Sequence, residues 1–276
     1  MILFANAKIN IGLQIIAKRK DGYHELNSVF YPLPIYDIIE LLETGAGETT
    51  LNIQGERIPG NLHDNLCVKA FELLKEDYTI PAVSIDLIKQ IPIGAGLGGG
   101  SSDASFVLKG LNVLFNLNLT SEQLELYAAK LGADCPFFIQ NKPVFATGIG
   151  TDFKTLSLNL DEYHIAVIMP SLHISTAEAY AGVQPKAPEV NLEEAIRLPI
   201  QEWKFHIRND FEEGIFEHYP LLKEIKEALY QKGAIYAAMS GSGAAIYGIF
   251  WEKTDLSDLA NYGKIYHPAK LCALIE

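Results

Sequence analysis

The chain has 276 residues, 49% of them hydrophobic and 20% charged, which is enough apolar material for one large domain or two ordinary ones. Its 34 acidic residues outweigh 22 basic ones for a formal net charge of −12, so its average field repels nucleic acid and anionic membranes. Cys67, Cys135 and Cys272 lie too far apart for a zinc spacing or a disulfide framework, and no apolar run approaches the ~20 residues of a membrane span. In the first eight residues Lys8 follows the apolar positions, the reverse of a signal peptide, so a cytoplasmic protein is expected.

Residues 2–17 alternate partly, with Ile9, Ile11, Leu13 and Ile15 on one face, and predict an opening strand. Lys8 and Asn10 share the opposite face, because residues two apart on a strand point the same way. Polar groups on so apolar a strand need partners or a wet cleft; an edge strand with a solvated face is the plainer alternative. Asp21-Gly22 marks a turn over 18–24, and residues 28–42 resume as a strand interrupted by Pro32 and Pro34. A short strand is expected at 49–53, a helix at 65–75, and a strand at 83–88.

That last strand feeds the run Pro92-Ile93-Gly94-Ala95-Gly96-Leu97-Gly98-Gly99-Gly100-Ser101-Ser102, with Asp103 next. So many glycines do not hold regular structure on their own, since glycine loses the most backbone freedom on folding. They do let backbone N–H groups approach an anion. The following stretch, 101–115, has a helical apolar pattern, and a helix N-terminus favours negative charge. The run therefore reads as a phosphate-binding loop. It also fits G-x-G-x-x-G, but residues 104–121 hold none of the acids a dinucleotide site needs, and no Gly-Lys-Ser/Thr is present.

A second helix is expected at 121–131, capped by Thr120 or Ser121, and Gly132-Ala133-Asp134-Cys135-Pro136 breaks it. Short strands follow at 144–147 and 153–156. Beyond a boundary placed between 150 and 162 come a strand at 163–169, a helix at 175–181, a polar loop at 183–190, and helices near 191–197, 210–217 and 220–231. Strands at 234–239 and 244–250 flank Ser240-Gly241-Ser242-Gly243, and a helix near 255–261 and a strand at 270–275 close the chain. Strands and helices mix without strict alternation, which indicates an α+β fold in two domains, 1–155 and 156–276.

Asp134 lies among small residues and proline in an apolar setting that calls for a cation, and Lys8 is a candidate. A carboxylate and a lysine beside a phosphate loop suit phosphoryl transfer, although a turn or helix-end carboxylate is an equally ordinary role for Asp134.

Three segments in order, Ala7-Lys8-Ile9-Asn10, the 92–102 loop and Ser240-Gly241-Ser242-Gly243-Ala244-Ala245, resemble the GHMP kinase superfamily. The resemblance spans residues 6 to about 250 and is weaker between 185 and 230. It implies a ribosomal-protein-S5-domain-2-like N-terminal domain, a ferredoxin-like C-terminal domain, ATP as phosphoryl donor and Mg2+ beside it. The turn Lys20-Asp21-Gly22-Tyr23-His24 narrows the likeness to members that phosphorylate a hydroxyl of a polyol carrying cytidine diphosphate; homoserine and mevalonate kinases lack it there. On that likeness Lys8 and Asp134 are catalytic, residues 92–102 bind ATP, and Ser240 to Gly243 lie near its phosphates. Asn10, Tyr23, His24, Phe30, Thr176 and Tyr180 would bind substrate, the aromatics around the cytosine. Phe30 as core packing and Thr176 as a helix cap are the competing roles. The partners implied are small molecules only, acting on a monomer or homodimer. Asp103 stands where many relatives carry asparagine, and repelling phosphate, capping the helix and holding magnesium are all open to it. Tyr180 replaces a common phenylalanine, and Cys135 an apolar residue.

Overall fold

The computed structural model describes residues 1–45, 47–56 and 61–268. In chain order its main elements are β1 (Ile2–Lys18), β2 (His24–Glu43), β3 (Thr50–Gly55), α1 (Leu66–Asp77), β4 (Val83–Lys89), α2 (Gly99–Leu114), α3 (Ser121–Leu131) and α4 (Phe137–Gln140). There follow β5 (Val144–Thr147), β6 (Asp152–Thr155), β7 (His164–Met169), α5 (Thr176–Ala181), α6 (Leu192–Ala195), α7 (Ile200–His206), α8 (Phe211–His218), α9 (Pro220–Gln231), β8 (Tyr236–Met239), β9 (Ile246–Phe250) and β10 (Lys264–Tyr266). No helix among the described residues is long and apolar enough to cross a membrane.

Two compact units emerge, each discontinuous in sequence. The first comprises residues 1–7, 35–93 and 98–142. There β3 runs parallel to β4, with α1 as the crossover, and β4 pairs antiparallel with the second half of β2. Odd-numbered residues of these strands face inward: Ile39, Leu41, Leu51, Val83, Ile85 and Leu87 are buried with Phe71 and Leu74 of α1 and Val107, Leu108 and Leu111 of α2. Gly110 lets α2 lie close on the sheet, because a Cβ there would come within 2.6 Å of Leu3 and Leu41. Helix α3 begins with a capping box: Thr120 accepts from the Gln123 backbone, and the Gln123 side chain accepts from Thr120 N.

The second unit comprises residues 8–34, 94–97 and the chain from 143. The first half of β2 pairs with β5, and β5 with β6. Farther along, an antiparallel sheet has the order β10-β7-β9-β8, with α9 packed on β8 and β9. Numbered within that half, the order is 4-1-3-2, the ferredoxin-like arrangement that the resemblance implies.

Apart from β2, which begins at His24 rather than at 28, the predicted elements recur with shifts of one or two residues, with these further exceptions. Pro32 and Pro34 do not interrupt β2: they fall between the residues that pair with β5, 28–30, and those that pair with β4, from residue 38. Helix α2 starts earlier than 101, at Gly99, so the end of the glycine run is its first turn. Elements α4, α7 and β10 had no predicted counterpart, and 257–262 is a 3-10 turn rather than an α-helix. The strand predicted at 270–275, with Cys272, lies outside the described residues.

Candidate active site

The glycine run is positioned by its backbone. Gly94, Gly96 and Gly98 take φ of +66°, +74° and +71°, the left-handed region that side chains disfavour, and Gly98 is the N-cap of α2. Between them the side chains of Ala95 and Leu97 are buried. Small residues turn outward while the loop's two side chains anchor it. Pro92 and Ile93 are half-buried, and Gly100, in the first turn of α2, is exposed and has nothing within 4 Å of where its Cβ would be. Ser101 is half-buried, and Ser102 Oγ is buried with no partner, an orphaned hydroxyl at the positive end of a 16-residue helix.

In the second unit, Ala95 and Gly96 meet the C-terminal loop. Ser240 Oγ donates to Gly96 O at 2.8 Å, Ala245 N to Ala95 O at 3.2 Å, and a Cβ on Gly96 would lie 1.9 Å from Ser240 O. Asn209, buried, donates to both Met239 O (2.9 Å) and Gly241 O (2.8 Å), holding that loop from behind. Gly241 and Gly243 are again left-handed. Ser242 is the half-buried residue between them in that turn.

Lys8 enters from β1. Only 4% of its surface is exposed; its Nζ donates to Asn10 Oδ1 at 2.5 Å and lies 4.8 Å from the centre of the Phe30 ring. Its backbone N–H donates to Leu97 O at 2.9 Å, tying β1 to the glycine run. Asn10 is buried; its Oδ1 accepts from Lys8 and its Nδ2 donates to Ser28 Oγ at 2.9 Å. Phe30 is buried too, its ring beside Lys8 and tilted at 5.9 Å from Phe153. Both were expected to touch substrate. In the structure both contact Lys8, because an ammonium in a dry place takes the nearest amide oxygen and ring face.

Other expected residues gather at the Asp-Gly-Tyr-His turn. Arg19 N donates to Tyr23 O, Tyr23 N to Asp21 Oδ1, and Arg19 pairs with Asp21, while Tyr23 remains 61% exposed. His24 stacks on Tyr180 at 4.5 Å and 17°, and Tyr180 meets Phe211 edge-on at 4.9 Å. These rings, from turn and α5, form an aromatic cluster. Thr176 is the exposed first residue of α5; the cap is Ser175, whose hydroxyl accepts from Glu178 N, so the capping role falls to Thr176's neighbour.

Asp134 belongs to the first unit, half-buried in the turn between α3 and α4. Ser105 of α2 fixes that turn by donating to Cys135 O at 2.8 Å. Cys135 is buried, and its thiol is pushed up to about 11, mainly by burial, which marks it as an unreactive filler.

Sequence reasoning missed a buried cluster beneath the start of α2. Lys89 Nζ pairs with Asp37 and, at 2.7 Å, with Asp103, and the three are nearly fully buried. Asp37 Oδ1 also accepts from Gln90 N and Ile91 N, so the cluster fixes the exit of β4 just before the glycine run. Asp103 therefore does not cap α2; it is turned inward to Lys89. The signal was available in Asp37 and Lys89, which sit on the inward, odd-numbered register of otherwise apolar strands. Burial opposes the charge on Lys89, but the two carboxylates hold its ammonium above the usual value. Burial, with Asp37 beside it and against the pull of Lys89, raises Asp103 from 3.8 to about 8. Asp103 is thus held toward its protonated form.

Residues 65–142 match the GHMP kinases N terminal domain, and residues 192–268 the GHMP kinases C terminal domain. The chain belongs to the GHMP kinases, ATP-dependent phosphotransferases. It is 52% identical over 252 residues to the 4-diphosphocytidyl-2-C-methyl-D-erythritol kinase of Bacteroides fragilis (strain YCH46), covering 91% of this chain and 92% of that one. A crystal structure of 4-(cytidine 5'-diphospho)-2C-methyl-D-erythritol kinase superposes with a TM-score of 0.81 at 31% identity, covering 97% of this chain and 98% of that one. A homoserine kinase structure from Cytophaga hutchinsonii shares the fold, with a TM-score of 0.70 at 17% identity and cover of 96% and 95%.

Two expectations follow. Gly96→Ala should destabilise the protein by about 3 kcal/mol or more, through strain at positive φ and the clash with Ser240 O. Gly100→Ala, at an open helical position, should leave the melting temperature unchanged or slightly raised. The second concerns pH. A carboxyl raised in the folded state stabilises fully below its unfolded value, here 3.8, and that contribution is lost as pH rises through about 8. Between about pH 5 and about pH 9 the wild-type midpoint should fall more steeply than that of Asp103→Asn, measured by thermal melting. Equal slopes would mean that Asp103 is ionised throughout.

Proposed function

We propose that this enzyme transfers the ATP γ-phosphoryl group to the 2-hydroxyl of 4-(cytidine 5'-diphospho)-2-C-methyl-D-erythritol, giving the 2-phosphate and ADP in non-mevalonate isoprenoid precursor synthesis. The single observation that carries this is identity above 50% across nine-tenths of the chain to a kinase of that name. The Tyr23-His24 turn with its stacked Tyr180 supports the cytidine end.

In this mechanism Asp134 accepts the proton of the 2-hydroxyl as its oxygen attacks the γ-phosphorus. The new O–P bond forms while the bond from phosphorus to the β-phosphate oxygen breaks, and ADP leaves. Lys8, held by Asn10 and Phe30, supplies positive charge to the Asp134 carboxylate and to the developing phosphoryl charge. Residues 92–102 present backbone N–H groups to the triphosphate, and the orphaned Ser102 Oγ fits one of its oxygens. Ser240, Gly241, Ser242 and Gly243 brace the same run. Tyr23, His24 and Tyr180 receive the cytosine, whose flat face suits aromatic stacking worth about 1–3 kcal/mol, and Thr176 faces the substrate side.

Magnesium is proposed to enter on the triphosphate. The described residues hold no group of three His, Cys, Asp or Glu side chains arranged for a metal, and this ion is commonly bound through phosphate oxygens and water. Bound with the triphosphate, it would supply positive charge to the phosphate oxygens. We take the functional halves to be 1–155 and 156–276, the enzyme to be a monomer or homodimer, and its compartment to be the cytoplasm. The free, buried Cys67 and Cys135 suit a reducing setting.

The test of substrate is ADP release with the cytidylated methylerythritol, homoserine and mevalonate in parallel. Turnover is expected with the first alone, and Tyr23→Ala with Tyr180→Ala should raise its KM far more than that of ATP. A larger rise for ATP would mean that the two nucleotide pockets are interchanged. For the chemistry, Asp134→Asn should keep the fold and lower kcat by about 10²–10⁴-fold. Lys8→Met should also lower kcat, and the double variant should be little worse than the worse single one. A kcat for Asp134→Asn within about threefold of wild type would reduce the carboxylate to a structural role.

A further inference from the structure

We propose that Ser28 is a positioning residue for Lys8, acting through Asn10: its hydroxyl fixes which way the Asn10 amide faces, and so where the lysine charge is held. This rests on the reading in which Lys8 serves the reaction.

The argument is one of donors and acceptors. Ser28 is fully buried on β2, and its hydroxyl has one proton to give. That proton goes to Gly12 O at 2.7 Å. Toward Asn10, 2.9 Å away, Ser28 Oγ can therefore only accept, so the amide must turn its NH₂ to Ser28. Its oxygen then faces Lys8 Nζ at 2.5 Å, and an ammonium has only donors. The two ends agree independently. A flipped amide would set two donors face to face at Lys8 and two acceptors at Ser28.

The relay is anchored at both ends of Asn10's backbone as well. Asn10 N donates to Ser240 Oγ at 3.2 Å, and Tyr247, buried on β9, donates its hydroxyl to Asn10 O at 2.9 Å. At the far end, Gly12 has φ +71°, and a Cβ there would lie 2.7 Å from Ile207 and 2.8 Å from Leu192. The carbonyl that receives Ser28's proton is thus held by a residue with no room to change. Without Ser28 Oγ the orientation of the amide rests on Lys8 alone, the N–H turned to Ser28 is left without that acceptor, and the oxygen that faces Lys8 is held less firmly.

The experiment is steady-state kinetics on the full-length enzyme with both substrates, for Ser28→Ala, Lys8→Met and the double variant. Ser28→Ala should lower kcat about tenfold and leave the KM for ATP within about twofold, as the loss of one oriented buried hydrogen bond predicts. In the Lys8→Met background the same change should have no further effect on kcat, and Ser28→Thr, which keeps the hydroxyl, should restore most of it. Hydrogen exchange of the Asn10 carboxamide protons, followed by NMR, should quicken in Ser28→Ala. Full additivity of the two changes, or wild-type kcat and exchange in a folded Ser28→Ala, would overturn the relay. If Lys8→Met alone kept wild-type kcat, the catalytic reading of Lys8 would fail first, and the relay with it. Should Ser28→Ala not fold, Ser28→Cys, of similar shape with a weaker acceptor, carries the same expectations.

Discussion

A lysine ammonium with 4% of its residue exposed is the constraint around which the second unit is arranged. Removing such a charge from water costs several kcal/mol unless fixed dipoles replace the water it loses. Here the replacement is an amide oxygen, the face of a phenylalanine ring and the chain of hydrogen bonds behind the amide. Each of those must itself be buried and oriented. That requirement draws β1, β2 and the Ser240 loop into one hydrogen-bonded set and fixes the backbone of Lys8 to Leu97 of the glycine run.

The glycine run depends on a second kind of constraint, the close approach of backbones. Gly96 is pressed against Ser240 O, while the orphaned Ser102 hydroxyl and the helix N-terminus wait at the far end of the loop. Catalysis of phosphoryl transfer asks mainly for positioning and fixed charge rather than covalent chemistry. The structure answers with few side chains and many backbone groups. Under the start of α2, the Asp37–Lys89–Asp103 cluster serves the same end: it ties β4, β2 and α2 together where the loop leaves the sheet. Asparagine at position 103 would lack the second carboxyl of that cluster.

The aromatic cluster is built differently. The Asp21-Gly22 turn exposes Tyr23 and stacks His24 on Tyr180, so rings rather than buried charges define it. In the function proposed above, backbone groups and fixed charge would serve the phosphates and the aromatic faces the base. A homoserine kinase and a mevalonate kinase share the fold at below 20% identity.

Much of this was legible in the chain. Alternation predicted β1, β3 and β4, helical spacing predicted α1 to α3, and Gly94 to Gly100 announced a loop at a helix start, because these features follow from local backbone preference and from the period of apolar residues. Pro32 and Pro34 misled, since whether a strand tolerates proline depends on which edge has a partner. The family motifs likewise singled out Lys8, Asp134 and Ser240 as candidates. What the sequence could not contain was the partner of each buried polar group. Ser240 lies 230 residues from Asn10 and Ser28 lies 18 away, and nothing local distinguishes a serine that orients an amide from one that faces water. Periodicity and composition determined the elements and the class of chemistry. Only tertiary structure decided that Asn10 and Phe30 hold Lys8, that Asp103 turns inward to Lys89, and that Gly96 must remain glycine, because donors, acceptors and close contacts are matched across distances that no local pattern records.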